Sequence, residues 1–169
     1  IFFYLSSIMA GLSLGALGYR VAMRIRGEPE NKAIANGLIT GAVALGVIYA
    51  IAKFIEIAIA GELALLASNM GMLWLGELLL GVGLPLLLWS VPAWRRTDAV
   101  QWLTPILIAA SVLLNRFDAT LFAQVVRADA TPYSPHILEW LSTIGILSGA
   151  LLAWMLAVRF LLPKTEHHA

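Results

Sequence analysis

Residues 33–60 read AIANGLITGAVALGVIYAIAKFIEIAIA, 28 positions in which Lys53 and Glu56 are the only charges. At 1.5 Å per residue a helix of that length spans more than the ~30 Å of a bilayer's hydrocarbon. The stretch predicts a membrane-crossing helix, and with it an all-α, polytopic transmembrane helical bundle. The same reading, carried outward, predicts further helices near 1–24, 69–92, 99–124 and 135–162, about five crossings in all. Residues 1–169 are expected to form a single transmembrane bundle.

Composition excludes most other classes. The chain is 60% hydrophobic and only 12% charged, where a soluble domain carries roughly 25% charged residues. Its net charge is +1 and it holds no Lys/Arg run, so nothing points to nucleic acid. With no cysteine, the chain has no disulfide and no thiolates of its own for an iron–sulfur cluster. Of the three histidines, His167 and His168 stand in the polar C-terminal segment and His136 alone lies near a span. A bis-histidine haem is therefore not expected, nor is a metal site. The opening Ile1-Phe2-Phe3-Tyr4-Leu5 lacks the basic n-region and cleavage pattern of a signal peptide; the expectation is the C-terminal part of a larger subunit.

Charge asymmetry orients the spans. The first connection holds Arg24, Arg26, Glu28, Glu30 and Lys32, the third holds Arg95, Arg96 and Asp98, and the C-terminus holds Lys164; the second and fourth offer Glu62, Arg127 and Asp129. The Lys/Arg excess predicts that the first and third connections and the C-terminus are cytoplasmic. Trp94, Trp102, Tyr133 and Trp140 fall where interfacial aromatic anchors belong. Small residues mark expected helix contacts: Ser7, Gly11, Gly15 and Gly18 on the first span, Gly37 and Gly41 on the second, Gly145 and Gly149 on the fifth. Gly81, Gly83 and Pro85 predict an irregularity in the third, with room for a space beside Glu77.

Six in-span charges fall at one depth: Lys53, Glu56, Glu77, Arg116, Asp118 and Glu139. Counting from the expected outer ends places all of them within about 12 Å of the outer surface. Each charge in hydrocarbon costs at least ~2.5–3.5 kcal/mol even on the gentler scales, which marks the group as a functional layer. Tyr49, Lys53, Glu56 and Ala60 share one helical face, where Lys53 is in reach of Glu56. Asn115 shares a face with Asp118, whereas Arg116 and Asp118 stand about 200° apart. Paired charges that merely fix helix register are the plain alternative. Against it, two bases face four carboxylates, and acids in excess within a low dielectric call for protonation or hydration. His136 is placed either to extend such a relay outward or to cap the fifth helix.

Four segments bear a family resemblance: YAIAKFIE at 49–56, LWLGELLLG at 73–81 followed by Leu84-Pro85, LLNRFD at 113–118 and YSPHILEW at 133–140. In order and spacing they resemble the C-terminal half of the NrfD/PsrC-like integral membrane subunits (the polysulfide reductase membrane subunit superfamily), and within it the HybB-like hydrogenase membrane-anchor branch. The resemblance covers nearly all of this chain and about half of such a subunit. It implies a quinone-reactive anchor of a respiratory oxidoreductase in a bacterial or archaeal cytoplasmic membrane. The quinone would be menaquinone or ubiquinone, and the partners a ferredoxin-like iron–sulfur subunit on the outer face together with catalytic redox subunits. The family's ionisable pattern maps onto Lys53, Glu56, Glu77, Arg116 and Glu139. Lys53 and Glu56 stand where many relatives are expected to carry Arg and Asp. Two readings from other classes stay open on the residues alone: an ion- or proton-translocating transporter subunit, and a purely structural membrane anchor.

Overall fold

The computed structural model describes residues 2–61, 63–125 and 136–160, without the side chains of positions 65, 69, 70, 73 and 117–125. Expectations placed on Glu62, Arg127, Asp129, Tyr133, Lys164, His167 and His168 lie outside the described residues, as does that on the side chain of Asp118. Every described element is helical: α1 (Phe2–Arg26), α2 (Lys32–Ala60), a 3₁₀ turn (Leu63–Ala67), α3 (Asn69–Leu78), a π-helical segment (Leu79–Gly83), α4 (Leu84–Ser90), α5 (Pro92–Arg95), α6 (Asp98–Val125) and α7 (Ile137–Phe160).

Four helices among the described residues are long and apolar enough to cross a membrane: Phe2–Arg26, Lys32–Ala60, Asp98–Arg116 and Ile137–Phe160. The third expected span is helical from Asn69 to Ser90 but composite, and its apolar part, Trp74–Ser90, is shorter than the other four. Among the described residues the protein is thus all-helical, with four candidate membrane-spanning helices.

Local chemistry accounts for the helix ends. α1 stops at Gly27, which takes φ 68° while its N–H bonds Arg24 O and that of Glu28 bonds Met23 O. Only glycine holds that left-handed turn at little cost. Asn31 then opens α2, its side chain accepting the Ala33 N–H at 3.0 Å, and Gly61 closes it at φ 72°. Ser68 caps α3 by accepting from Gly71 N–H at 3.1 Å. The π-helical segment is defined by the Leu84 N–H reaching Leu79 O, five residues back.

Two compact units divide the chain, Ile1–Gly18 with Asn31–Ala119, and Tyr19–Glu30 with Thr120–Ala169. The first contains the core: Met9 and Ala16 of α1, Ile39, Ala42, Val43 and Tyr49 of α2, Val82 of the π-helical segment, Trp89 of α4 and Ile108 of α6. Trp89 Nε1 donates to Thr40 Oγ1 at 2.9 Å, tying α4 to α2. In the second unit Arg20, 1% exposed, is paired with Glu30 at 2.9 Å, and Arg26 with Glu28 at 2.7 Å.

The expected glycine seam of α1 is not its buried face. Ser7, Gly11 and Gly15 are exposed, and the face turned inward is Ser6, Met9, Ser13, Ala16 and Arg20, spaced three and four apart. In lipid, leucine and isoleucine lose nothing by facing out, so the inward face is the polar and small one. On α2, Gly41 does meet α1, since a Cβ there would stand 3.3 Å from Leu12 Cδ1, whereas Gly37 has nothing within 4 Å. Gly145 and Gly149 lie on the exposed length of α7.

Candidate functional site

The site is built where α2, α3 and α6 reach the level of the first turns of α1. Tyr49, only 7% exposed, is its centre. Glu77, Arg116 and Glu56 all stand close enough to act electrostatically on its hydroxyl. Three of the charges that the sequence placed at one depth, on three separate helices, therefore lie within electrostatic range of Tyr49 in the first unit.

Lys53 sits one turn beyond Tyr49 and half-buried. The ion pair expected with Glu56 is not found among the described residues; the ammonium lies instead 4.9 Å from the centroid of the Phe2 ring and 5.9 Å from that of Tyr49. The two rings meet edge to face, 6.0 Å apart at 86°. A cation within ~6 Å of an aromatic centroid is attracted by the ring quadrupole, and spacing of three residues permits an ion pair without requiring one. Glu56 and Ala60, expected inward on the face of Tyr49, are exposed.

Arg116 is held by α1. Its Nη2 donates to Ser6 Oγ at 2.7 Å and to Phe3 O at 3.3 Å, and its guanidinium carbon lies 4.2 Å from the centroid of Phe3. Ser6 is buried and itself donates to Phe3 O at 3.1 Å. Glu77 lies on α3 two residues before the π-helical segment, and its backbone carbonyl accepts from Ser111 Oγ of α6 at 3.1 Å. Asn115, beside Arg116 on α6, is half-buried.

The remaining sequence candidates stand at the start of α7, in the second unit. His136 Nδ1 accepts from the Leu138 N–H at 3.3 Å and its carbonyl accepts from Glu139 N–H, so His136 caps the helix. Glu139 occupies the first turn of α7, where a carboxylate is favoured by the helix dipole. Phe2, Phe3 and Ser6 were not singled out by sequence; the signal was the polar stripe Ser6–Ser13–Arg20 at seven-residue spacing. Among the described residues no cluster of three or more His, Asp or Glu could hold a metal ion.

A cavity of about 390 Å³ opens between α2 and the third helical run, lined by Val47, Ile51, Phe54, Leu75, Leu79 and Val82 among other apolar side chains. It is not the expected space beside Glu77. At 100° per residue the lining positions of α2 and α3 lie about 150° round each helix from Tyr49 and Glu77. Polar layer and apolar groove thus occupy opposite faces of the same two helices.

The chain is similar to a curated protein of Nitratidesulfovibrio vulgaris (strain Hildenborough) whose name states no activity, 29% identical over 150 residues. That match takes in 82% of this chain and 38% of the relative, so the chain spans well under half of the relative's length. No family model and no solved structure matches the chain.

Proposed function

We propose that the chain is a membrane anchor subunit of a respiratory oxidoreductase, coupling an iron–sulfur partner to the quinone pool. The single observation that supports this is the buried Tyr49, with Glu56, Glu77 and Arg116 of α2, α3 and α6 within electrostatic range of it. Reduction of a quinone needs donors to its two carbonyl oxygens and a proton supply, while the electrons come from a redox centre elsewhere. Tyr49, Lys53 and Arg116 are the donors of the layer, and Glu56 and Glu77 its proton-exchanging groups. The chain supplies no redox centre of its own in this reading; a ferredoxin-like subunit on the outer face, with catalytic subunits beyond it, supplies the electrons. Five crossings, with α3 through α4 as the third, put the basic connections in the cytoplasm of a bacterium or archaeon and the layer near the outer face. Asn115, beside Arg116, is assigned to the margin of the same path. Menaquinone or ubiquinone is the quinone of this reading.

Glu77→Gln in the intact membrane complex tests it. Loss of one proton-transferring group commonly costs 10²-fold or more, so quinone-linked turnover should fall by roughly that factor while the complex still assembles. Unchanged turnover in an assembled complex would leave the layer a register-fixing device, the structural-anchor reading. Purification of the chain as an autonomous transporter would reject the redox reading outright.

A further inference from the structure

The apolar cavity between α2 and the third helical run is a lengthwise groove. Its α2 wall is Val47, Ala50 and Phe54, spaced three and four apart on one face, and along the facing run it extends from Leu75 to Leu86. Those eleven residues span about 16 Å at 1.5 Å per residue, close to the ~15 Å of hydrocarbon in one leaflet of a bilayer. Behind the groove the two walls touch, since a Cβ on Gly46 would stand 3.5 Å from Val82 Cγ1. Ala50 and Gly83 keep it open; a Cβ on Gly83 would stand 3.0 Å from Leu79 Cδ1, another lining side chain. Spread along its length, the 390 Å³ gives a cross-section of about 24 Å², roughly a third that of a helix ~10 Å in diameter. The space fits one flexible hydrocarbon chain and is too narrow for a helix.

The same seam ends in positive charge. One turn beyond Leu86, Trp89 closes it by donating to Thr40, which lies seven residues before Val47 on the same face of α2. The chain then turns at the extended Val91, and Pro92 opens α5. That turn sets the Arg95 guanidinium over the Trp89 ring, 5.9 Å from its centroid. Arg95 and Arg96 are both exposed, and Asp98 is the only acid in residues 84–100. A cation therefore stands about two helical turns, ~10 Å, beyond the end of the groove, comparable with the ~5–8 Å that headgroups add to each side of the hydrocarbon.

We infer that the seam between α2 and α4 binds one anionic phospholipid, an acyl chain lying in the groove and the phosphate on Arg95 and Arg96. Charge complementarity selects the headgroup, and the length and width of the groove select a single chain. A quinone ring would find no hydrogen-bond donor among the apolar lining residues, and the donors of the polar layer lie on the opposite face of the same helices. The inference stands apart from the redox reading.

The full chain, purified in mild detergent and washed free of lipid, is titrated with dioleoylphosphatidylglycerol or dioleoylphosphatidylcholine, bound lipid being counted by native mass spectrometry. Phosphatidylglycerol should bind about ten-fold or more tightly than phosphatidylcholine, the preference that two arginines at a membrane surface confer. Arg95→Gln combined with Arg96→Gln, at exposed positions outside the core, should bring the two lipids level. Ala50→Leu, which fills the groove, should weaken both. Equal binding of the two lipids by the unaltered chain, or a preference that survives the arginine substitutions, overturns the inference, as does undiminished binding to folded Ala50→Leu. Menaquinone should not displace the phosphatidylglycerol; displacement assigns the groove to an isoprenoid tail and overturns it too. The arginine variant keeps the test decisive if Ala50→Leu fails to fold.

Discussion

Arg116 shows what one side chain contributes to this layer. Its guanidinium lies on the Phe3 ring while one nitrogen serves both Ser6 Oγ and Phe3 O. An ammonium has no such plane and no fork. Arg116→Lys should therefore lower stability by about 1–2 kcal/mol despite retaining the charge, seen as a lower unfolding midpoint in detergent; an unchanged midpoint would deny Arg116 its tie to α1. Sequence made Arg116 and Lys53 conspicuous because charge in hydrocarbon is expensive, and it gave their depth by counting. It did not give their neighbours. Spacing allowed Lys53 to meet Glu56, yet the ammonium went to Phe2 and Tyr49, a choice that depends on which helix lies alongside. Ser6 escaped notice because a lone hydroxyl in a membrane helix costs little and satisfies itself on its own backbone.

The run from α3 through α4 is where helix regularity gives way. Gly81 sits against Ser111, so that a Cβ at position 81 would collide with the serine side chain, and Ser111 in turn bonds the Glu77 carbonyl. Gly81→Ala should destabilise the protein by roughly 1–3 kcal/mol, the usual cost of overpacking, and should weaken the Glu77 position along with it. Thermal unfolding reads the first effect and quinone-linked turnover the second; an alanine tolerated in both would mean that the two helices separate freely at this point. At the other end of the run, Thr40→Val removes the acceptor of Trp89 Nε1 and should cost about 1 kcal/mol, again by thermal unfolding. Gly81, Gly83 and Pro85 announced an irregularity in the sequence, but not its kind. The π-helical turn coincides with the close seat of Ser111 against Gly81, a contact 30 residues away in the chain that no local pattern announces. The face of α1 was misread for a related reason: glycines mark contacts only where a second backbone is near, and on α1 the partners sought the polar stripe.

Across the whole molecule the hydropathy pattern placed the helices well, because hydrocarbon thickness sets length directly. Which faces meet was beyond it, since lipid and protein interior are equally apolar and the pattern has no strong inside–outside contrast. The orientation rests on the Lys/Arg asymmetry and has a direct check. Pro29 and Ala67 are exposed on the first and second connections, and Pro29→Cys and Ala67→Cys should be labelled by an impermeant maleimide from opposite sides of sealed vesicles. Labelling of both from one side would remove α2 as a crossing.

The π-helical segment also sets the phase of the third helical run. Before it stands Glu77, within electrostatic reach of Tyr49; after it stands Trp89, bonded to Thr40. Both partners belong to α2, and they are nine residues apart where Glu77 and Trp89 are twelve. The wider turn takes up a residue that a regular helix would spend on rotation and rise. Deleting one residue between Leu79 and Gly83 would swing Glu77 by about 100° relative to Trp89. Such a chain could keep the tryptophan seated or the glutamate aimed, but not both, so length here is as constrained as residue identity.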